Sequence, residues 1–187
     1  MRVLNVGGGS SRDLPSFYHG WQQDLLDIDP AVKPDIVCDA RKLNGSLSGK
    51  YDAVFCSHNL EHFHAHEVPD VLGGFHRVLK ATGFAQIAVP DIQALFEAVK
   101  GRDINDEWYR CPSGPISFHD VLYGWGKQIG QGNLYYCHKT GFTESSITKA
   151  LRRARFSVIH TAQDGFNLHA FAFKARPKPN QLRTLGL

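Results

Sequence analysis

Residues 2–11 read RVLNVGGGSS, a short stretch of mostly apolar residues that runs directly into three glycines. Residues 2–6 predict a buried strand because they are largely apolar and β-branched. Glycine has no Cβ atom, so residues 7–9 can take positive φ angles and let a ligand lie directly against the backbone. The stretch predicts the cofactor-binding edge of a parallel sheet or, on these residues alone, a plain strand followed by a flexible loop.

Composition indicates one globular domain without a membrane or nucleic-acid partner. The chain has 187 residues, of which 42% are hydrophobic and 21% charged. No apolar run reaches the roughly 20 residues that span a bilayer, and a strand at residue 2 leaves no room for a signal peptide. We therefore expect a cytoplasmic protein. The net charge of +3 comes from the last fourteen residues, which hold four bases and no acid, so the remaining chain lacks the basic excess that phosphate binding needs.

The order of the later elements predicts an open α/β sheet. Apolar residues at spacings of three and four predict a helix over 67–79, with Gly83 as its stop. About six residues separate the second and third strands, too few for a helical crossover, so the helices after the first two strands should be trimmed. Further strands are expected at 24–28, 35–38, 51–56 and 84–89, further helices at 92–99 and 144–155, and a closing antiparallel hairpin at 156–161 and 168–174.

Acidic residues end the second predicted strand, about twenty residues after the glycines. A carboxylate in this position can accept hydrogen bonds from both hydroxyls of a ribose. Asp27 aligns better with this role than Asp29, which precedes a proline and can simply start a turn. The alternative for Asp27 is a solvated turn residue.

Six segments occur in an order that resembles a known family. They read LNVGGGS, LDIDP, VCDARKL, YDAVFCSHNLEHF, GGFHRVLKATGFAQIAVPD and HKTGFTESSITKALRRARFSVI. Together they resemble the class I S-adenosylmethionine-dependent methyltransferases, and among these the small, type-11-like enzymes whose fourth strand is followed by Leu-Glu-His. The resemblance implies a Rossmann-like, mostly parallel sheet with a C-terminal antiparallel hairpin, and S-adenosylmethionine as the cofactor. The chain departs from the family pattern at Asn5, where an acid is common, and at Ser11, where a third spaced glycine is common.

The resemblance also assigns roles to individual residues. Asp39 and Ala40 would lie beside the adenine, although Asp39 could instead cap its own loop. His58 and His62 would lie where the methyl group points, and either could take a proton from the acceptor, with His58 favoured; alternatively, both only organise the loop. The implied cofactor contacts are Asn5, Gly7, Gly8, Gly9, Ser10, Asp27, Ile28, Asp39, Ala40, Ser57 and Asn59.

Residues 58–62 also match the HxxEH pattern of zinc hydrolases. In that pattern two histidines and a glutamate on one helix hold zinc. Here the five residues directly follow a strand rather than lying inside a long helix, so we expect no metal and favour the methyltransferase interpretation.

An aromatic-rich insertion at 101–137 separates the fifth strand from the last long helix. It predicts a cap, with a helix near 117–129, that closes over the cofactor and excludes water; the alternatives are a homodimer contact or a packing flap. We expect residues 1–175 to form a single domain and the basic, proline-containing tail 176–187 to be disordered.

Three functions remain open on the sequence. The favoured one is methyl transfer to a small-molecule or soluble acceptor, mainly by alignment and water exclusion. The others are a catalytically inactive S-adenosylmethionine-binding module, which the departures at Asn5 and Ser11 keep open, and a zinc hydrolase.

Overall fold

The main sheet of the protein has seven strands. The computed structural model describes residues 1–9, 11–43, 45–111 and 114–187. The strands of the main sheet are β1 (Arg2–Val6), β2 (Gln22–Asp27), β3 (Ile36–Val37), β4 (Tyr51–Ser57), β5 (Leu79–Pro90), β8 (Val158–Asp164) and β9 (Asn167–Phe173); a separate pair is formed by β6 (Glu107–Cys111) and β7 (Gly114–Ser117).

The order of the strands across the main sheet is β3-β2-β1-β4-β5-β9-β8. The first five are parallel to their neighbours, whereas β9 runs antiparallel between β5 and β8. This arrangement confirms the predicted mostly parallel sheet with a closing antiparallel hairpin. The strand order reverses between β1 and β4, which is where open α/β sheets bind ligands.

Six helices accompany the strands. They are α1 (Val68–Val78), α2 (Ile92–Ala98), α3 (Phe118–Tyr123), α4 (Gly126–Ile129), α5 (Glu144–Arg153) and α6 (Pro179–Thr184). Among the residues that the structure describes, no helix is long and apolar enough to cross a membrane.

The longest helix, α1, forms because its apolar residues share one face. Val71, Leu72, Phe75 and Val78 are fully buried in the core, and each such side chain contributes about 1.5–3 kcal/mol through burial. The predicted stop at Gly83 is wrong: α1 ends at Val78, and the next residue already begins β5. The periodicity could not show this, because an apolar residue at 79 fits both the end of the helix and the start of a strand.

Short turns replace the first two connecting helices. Single 3₁₀ turns occupy Ser16–Tyr18 and Pro30–Val32, after β1 and β2 respectively. The predicted trimming of these helices is confirmed. Only short turns, and no helices, therefore follow β1 and β2 at the carboxyl edge of the sheet.

The insertion is more divided than expected. The single helix predicted near 117–129 is two short helices, α3 and α4, because Gly124 between them has a φ of 101°. The β6–β7 hairpin was not predicted. Pro115 lies within β7, where a proline is tolerated because the pair has only edge strands.

The C-terminal segment also differs from the expectation of disorder. Helix α6 lies there, and Leu182 and Leu185 pack against a core cluster that contains Tyr18 and Phe84. Two leucines three residues apart can anchor one helical turn even where the neighbouring residues are polar.

A polar network ties the three central strands together near their amino ends. The Tyr51 hydroxyl donates to Asp24 Oδ2 at 2.7 Å, and the Arg2 guanidinium approaches the same oxygen at 2.6 Å. These residues lie on β4, β2 and β1. Because Asp24 is buried, each donor offsets part of the cost of keeping its charge away from water.

We expect Tyr51→Phe to lower the free energy of unfolding by about 1–3 kcal/mol, because it removes a hydrogen bond to a buried carboxylate. Tyr18→Phe is the matched control, since the buried Tyr18 hydroxyl has no hydrogen-bond partner in the described structure. This variant should change stability by less than about 0.5 kcal/mol or increase it. Urea unfolding measures both. Equal losses in the two variants would contradict the role of the network.

Candidate functional site

The glycine loop begins where β1 ends at the carboxyl edge of the sheet. Gly7 has a φ of 70°, and its backbone N–H donates to Leu26 O at 2.8 Å. A Cβ atom at Gly7 would lie 2.1 Å from Asn59 Nδ2. Two independent reasons therefore require glycine at this position: the positive φ angle of the backbone and the closeness of the Asn59 side chain.

The Asp27 carboxylate is oriented by two backbone amides. Gly9 N–H donates to Asp27 Oδ2 at 3.1 Å, and Asp29 N–H donates to Asp27 Oδ1 at 2.9 Å. An ionised carboxylate offers about four lone-pair positions, so both oxygens keep acceptor capacity. Asp27 is thus held at the loop and can still accept hydrogen bonds from a ligand.

A first cavity, of about 350 Å³, lies at this edge. We call it the cofactor cavity. Its wall on the cap side comes from Asn133, Tyr135, Tyr136 and Lys139, none of which was assigned from the sequence. Eight of the predicted site residues line it together: Gly7, Gly8, Gly9, Asp27, Ile28, His58, Asn59 and His62.

Other predicted residues lie beside the cofactor cavity without lining it. Asn5 is buried beneath the loop, where its Nδ2 donates to Ser11 O at 3.4 Å. The Asn5 side chain therefore helps to hold the loop through the backbone carbonyl of Ser11. Ser57 ends β4, and Ala40 is buried. Ser10 lies outside the described residues.

The Asp39 carboxylate is already occupied within its own loop. It accepts from the Arg41 backbone N–H at 3.0 Å and forms an ion pair with the Arg41 guanidinium at 2.5 Å. The side-chain hydrogen bond from Arg41 is the main reason that the pKa of Asp39 lies below its usual range. The contacts are those of a loop-capping acid, and the adenine role of Asp39 remains a prediction.

His58 occupies an unusual backbone conformation one residue beyond β4. Its φ is 50°, a region that non-glycine residues rarely adopt. Its backbone N–H donates to Ala88 O at 2.9 Å, and its side chain is 47% exposed. Strained residues of this kind concentrate at functional sites, which agrees with the position of His58 at the edge of the cofactor cavity.

A second cavity, of about 430 Å³, lies on the other side of His58. We call it the acceptor cavity, after the role that we propose for it below. Both cavities are lined by His58, His62 and Tyr136, and both volumes fall in or near the range of roughly 300–1,000 Å³ that small-molecule sites occupy. Much of the wall of the acceptor cavity is aromatic and comes from Tyr109, Trp125, Tyr136 and Phe166.

A buried carboxylate surrounded by histidines lines the acceptor cavity. Glu61 is 1% exposed, and its two carboxylate oxygens have no hydrogen-bond partner among the described residues. His58 Nδ1 lies 3.5 Å from Glu61 Oε1, and His138 Nε2 lies 4.0 Å from it. Burial raises the pKa of Glu61, but the three neighbouring histidines, His58 foremost, outweigh this effect and lower it. Burial lowers the pKa of His138.

His138 is a further residue of the site that sequence analysis missed. It follows the insertion and is brought to Glu61 because the N–H groups of Lys139 and Thr140 donate to Glu61 O at 2.8 and 3.2 Å. The His138 ring stands edge-on to His62 with centroids 4.9 Å apart. Its only sequence signal was its position at the start of the segment HKTGF, which carries no spacing rule that links it to residue 61.

Comparison with known proteins agrees with this geometry. Residues 4–87 match the model of a family described as a methyltransferase domain. The fold resembles an S-adenosylmethionine-dependent methyltransferase from Mesorhizobium loti, with a TM-score of 0.62, 15% identity, and coverage of 92% of this chain and 90% of that one. It also resembles one from Archaeoglobus fulgidus, with a TM-score of 0.59, 16% identity, and coverage of 92% and 86%.

A third similar structure is 1,6-didemethyltoxoflavin-N1-methyltransferase from Burkholderia thailandensis, solved with 1,6-didemethyltoxoflavin and S-adenosylhomocysteine bound. The TM-score is 0.57 at 18% identity, with coverage of 94% of this chain and 71% of that one. A search of curated proteins finds no match. The family match thus covers the segment from the first strand into the fifth, and the solved structures share the fold of the whole chain.

We expect Gly7→Ala to weaken the affinity for S-adenosylhomocysteine about tenfold or more, because the positive φ alone costs about 1–3 kcal/mol and the new methyl group overlaps Asn59. Gly20→Ala is the control: Gly20 has a φ of 79° but open space around it. Titration calorimetry measures both affinities. An unchanged affinity in Gly7→Ala would remove the loop from the cofactor site.

Proposed function

We propose that the protein transfers the methyl group of S-adenosylmethionine to a small molecule bound in the acceptor cavity. The observation that carries the proposal is the wall shared by His58, His62 and Tyr136, which line both cavities. A methyl donor in one cavity and an acceptor in the other would meet at this wall. Direct contact of the two reactants is what methyl transfer needs.

The residues around the cofactor cavity suit S-adenosylmethionine. Gly7, Gly8 and Gly9 line the cavity with backbone, and the space beside Gly9 is open, so a ligand can approach the backbone closely there. Asp27 keeps free acceptor positions for two ribose hydroxyls, and Ile28, with its side chain largely exposed at the cavity, supplies apolar surface. The Asn59 Oδ1 atom is buried without a hydrogen-bond partner among the described residues, so a ligand donor would satisfy it.

The cofactor, when bound, supplies a methyl group on a positively charged sulfur, which is already a good leaving group. The protein's own contribution is therefore mainly alignment and exclusion of water. The aromatic side chains of the cap, including Trp125 and Tyr136, form an apolar wall around the acceptor. Such a wall orients a flat or apolar acceptor and keeps water from the methyl group.

A base is needed only if the acceptor atom carries a proton, and His58 is the residue we propose for that task. Its side chain is partly exposed and lines both cavities. His62 is less free, because its Nδ1 atom is already hydrogen-bonded to Cys137 O at 3.0 Å. Histidine exchanges protons near neutral pH, which suits it to this step.

Replacing Asp27 by Ala should weaken the binding of S-adenosylmethionine and S-adenosylhomocysteine by about 1.5–3 kcal/mol, the usual contribution of hydrogen bonds to a charged group. Asp29→Ala is the matched control, since it removes a neighbouring carboxylate that caps the turn after β2. Titration calorimetry measures both variants. A large loss in Asp29→Ala with parental affinity in Asp27→Ala would transfer the ribose role to Asp29.

Replacing His58 by Ala should lower turnover about a hundredfold if His58 is the base, while the affinity for S-adenosylhomocysteine changes little. The acceptor is first identified by screening metabolite pools for transfer of a labelled methyl group. His64→Ala, which removes a nearby exposed imidazole that lines neither cavity, is the control. A loss of less than threefold in His58→Ala would leave alignment by the cap as the main catalytic device.

A further inference from the structure

Three residues of the acceptor cavity form a cluster with the composition of a metal site. Glu61, His62 and His138 each offer one ligand atom, and these atoms all lie within 4.8 Å of one another. All three residues line the acceptor cavity. They come from two distant parts of the chain, the turn after β4 and the segment that follows the cap.

Both histidines of the cluster direct their Nε2 lone pairs away from the backbone. His138 Nδ1 lies 2.9 Å from Val121 O, and His62 Nδ1 lies 3.0 Å from Cys137 O. A carbonyl oxygen can only accept, so in each ring Nδ1 carries the proton and donates it. The Nε2 atoms of the neutral rings are left as acceptors. A backbone carbonyl that fixes the tautomer in this way is the usual support of metal-binding histidines.

The Glu61 carboxylate is the third member of the cluster, and His58 Nδ1, at 3.5 Å from Oε1, is not hydrogen-bonded to it. Its two oxygens are buried and have no hydrogen-bond partner among the residues described, and the nearest ring atom of His138 is Nε2, at 4.0 Å from Oε1. In their neutral form, His62 and His138 bring only further lone pairs toward this buried negative charge. Electron pairs that converge from three side chains are stabilised by a positive ion between them.

We propose that Glu61, His62 and His138 bind a divalent transition-metal cation at the floor of the acceptor cavity. Two imidazoles and one carboxylate suit Zn²⁺, Fe²⁺, Co²⁺ or Ni²⁺ rather than Mg²⁺ or Ca²⁺, which prefer oxygen ligands. Ligand atoms at about 2.0–2.2 Å from a tetrahedral ion are about 3.4 Å apart. Small side-chain rotations bring the cluster to that separation.

The proposed site departs from the expectation that the HxxEH segment binds no metal. That expectation weighed only residues 58–62, whereas the third ligand comes from His138. The ligand set also differs from the zinc hydrolase pattern, because His58 lies outside it and is partly exposed at the wall shared with the cofactor cavity. The cation would therefore contact a molecule bound in the acceptor cavity.

Three protein ligands would leave at least one coordination position open beside the cavity that all three residues line. A cation held there would polarise an oxygen of the acceptor and lower the pKa of a hydroxyl that it contacts. This narrows the acceptor to a small molecule that presents a hydroxyl, beside the aromatic wall and next to His58. The acceptor class rests on the proposed methyl transfer, whereas binding of the cation does not.

The test is titration of the full-length protein with Co²⁺, followed by visible absorption and by metal analysis after desalting. We expect one Co²⁺ per chain, displaced by Zn²⁺, with a spectrum typical of nitrogen and oxygen ligands. Glu61→Gln and His138→Ala should each weaken binding about tenfold or more. His66→Ala is the control, because His64 and His66 form an exposed stacked pair outside the cluster.

Titration of the same variants with S-adenosylhomocysteine separates this inference from the proposed function. Glu61→Gln and His138→Ala should keep the parental affinity for S-adenosylhomocysteine within about threefold, which also shows that they are folded. Absence of stoichiometric Co²⁺ in the parent would overturn the metal site and leave the cofactor site intact. Loss of Co²⁺ in His66→Ala, with full binding in His138→Ala, would also overturn it by assigning the metal to the exposed pair.

Discussion

The site depends on the parallel pairing of β1 with β2 on one side and with β4 on the other. Leu4 pairs with Asp24 and with Val54 in these two registers. Because the three strands run in the same direction, the glycine loop, Asp27 and His58 emerge at one edge of the sheet. A slip of one residue would move buried side chains to the opposite face, so the core that fixes the fold also fixes the alignment of the site.

The insertion at 101–137 lines the site together with the carboxyl edge of the sheet. Its aromatic residues form the wall of the acceptor cavity, and the chain that returns from it is attached to the turn after β4 through hydrogen bonds to Glu61 O. This attachment brings His138 to Glu61. Residues of the insertion therefore line both cavities, and a change that loosens the insertion is expected to alter the acceptor cavity while leaving the glycine loop in place.

The acids of the sheet and of the loops that follow its strands differ in how their charges are balanced. Asp39 and Glu67 share the guanidinium of Arg41, and Asp24 is bound by Arg2 and Tyr51. These carboxylates have structural partners. Glu61 is more deeply buried, and among the described residues its ion-pair partners are the histidines His58 and His138. A buried charge without a strong partner costs stability, and proteins retain such groups mainly where function requires them.

Sequence alone determined the elements whose signal is local. Apolar periodicity predicts the first strand, the amphipathic helix after the fourth strand and the closing hairpin. The properties of glycine predict the loop at residues 7–9, and the spacing of Asp27 from these glycines singles it out as a candidate ligand-binding acid. Tertiary structure decided the rest. Gly83 lies inside β5 rather than ending α1, the C-terminal segment forms a helix against the core, and His138 meets Glu61 across 77 positions of the chain. Periodicity reports which face of an element is buried; it cannot report which distant side chains the fold brings together, because that depends on how the cap returns to the sheet.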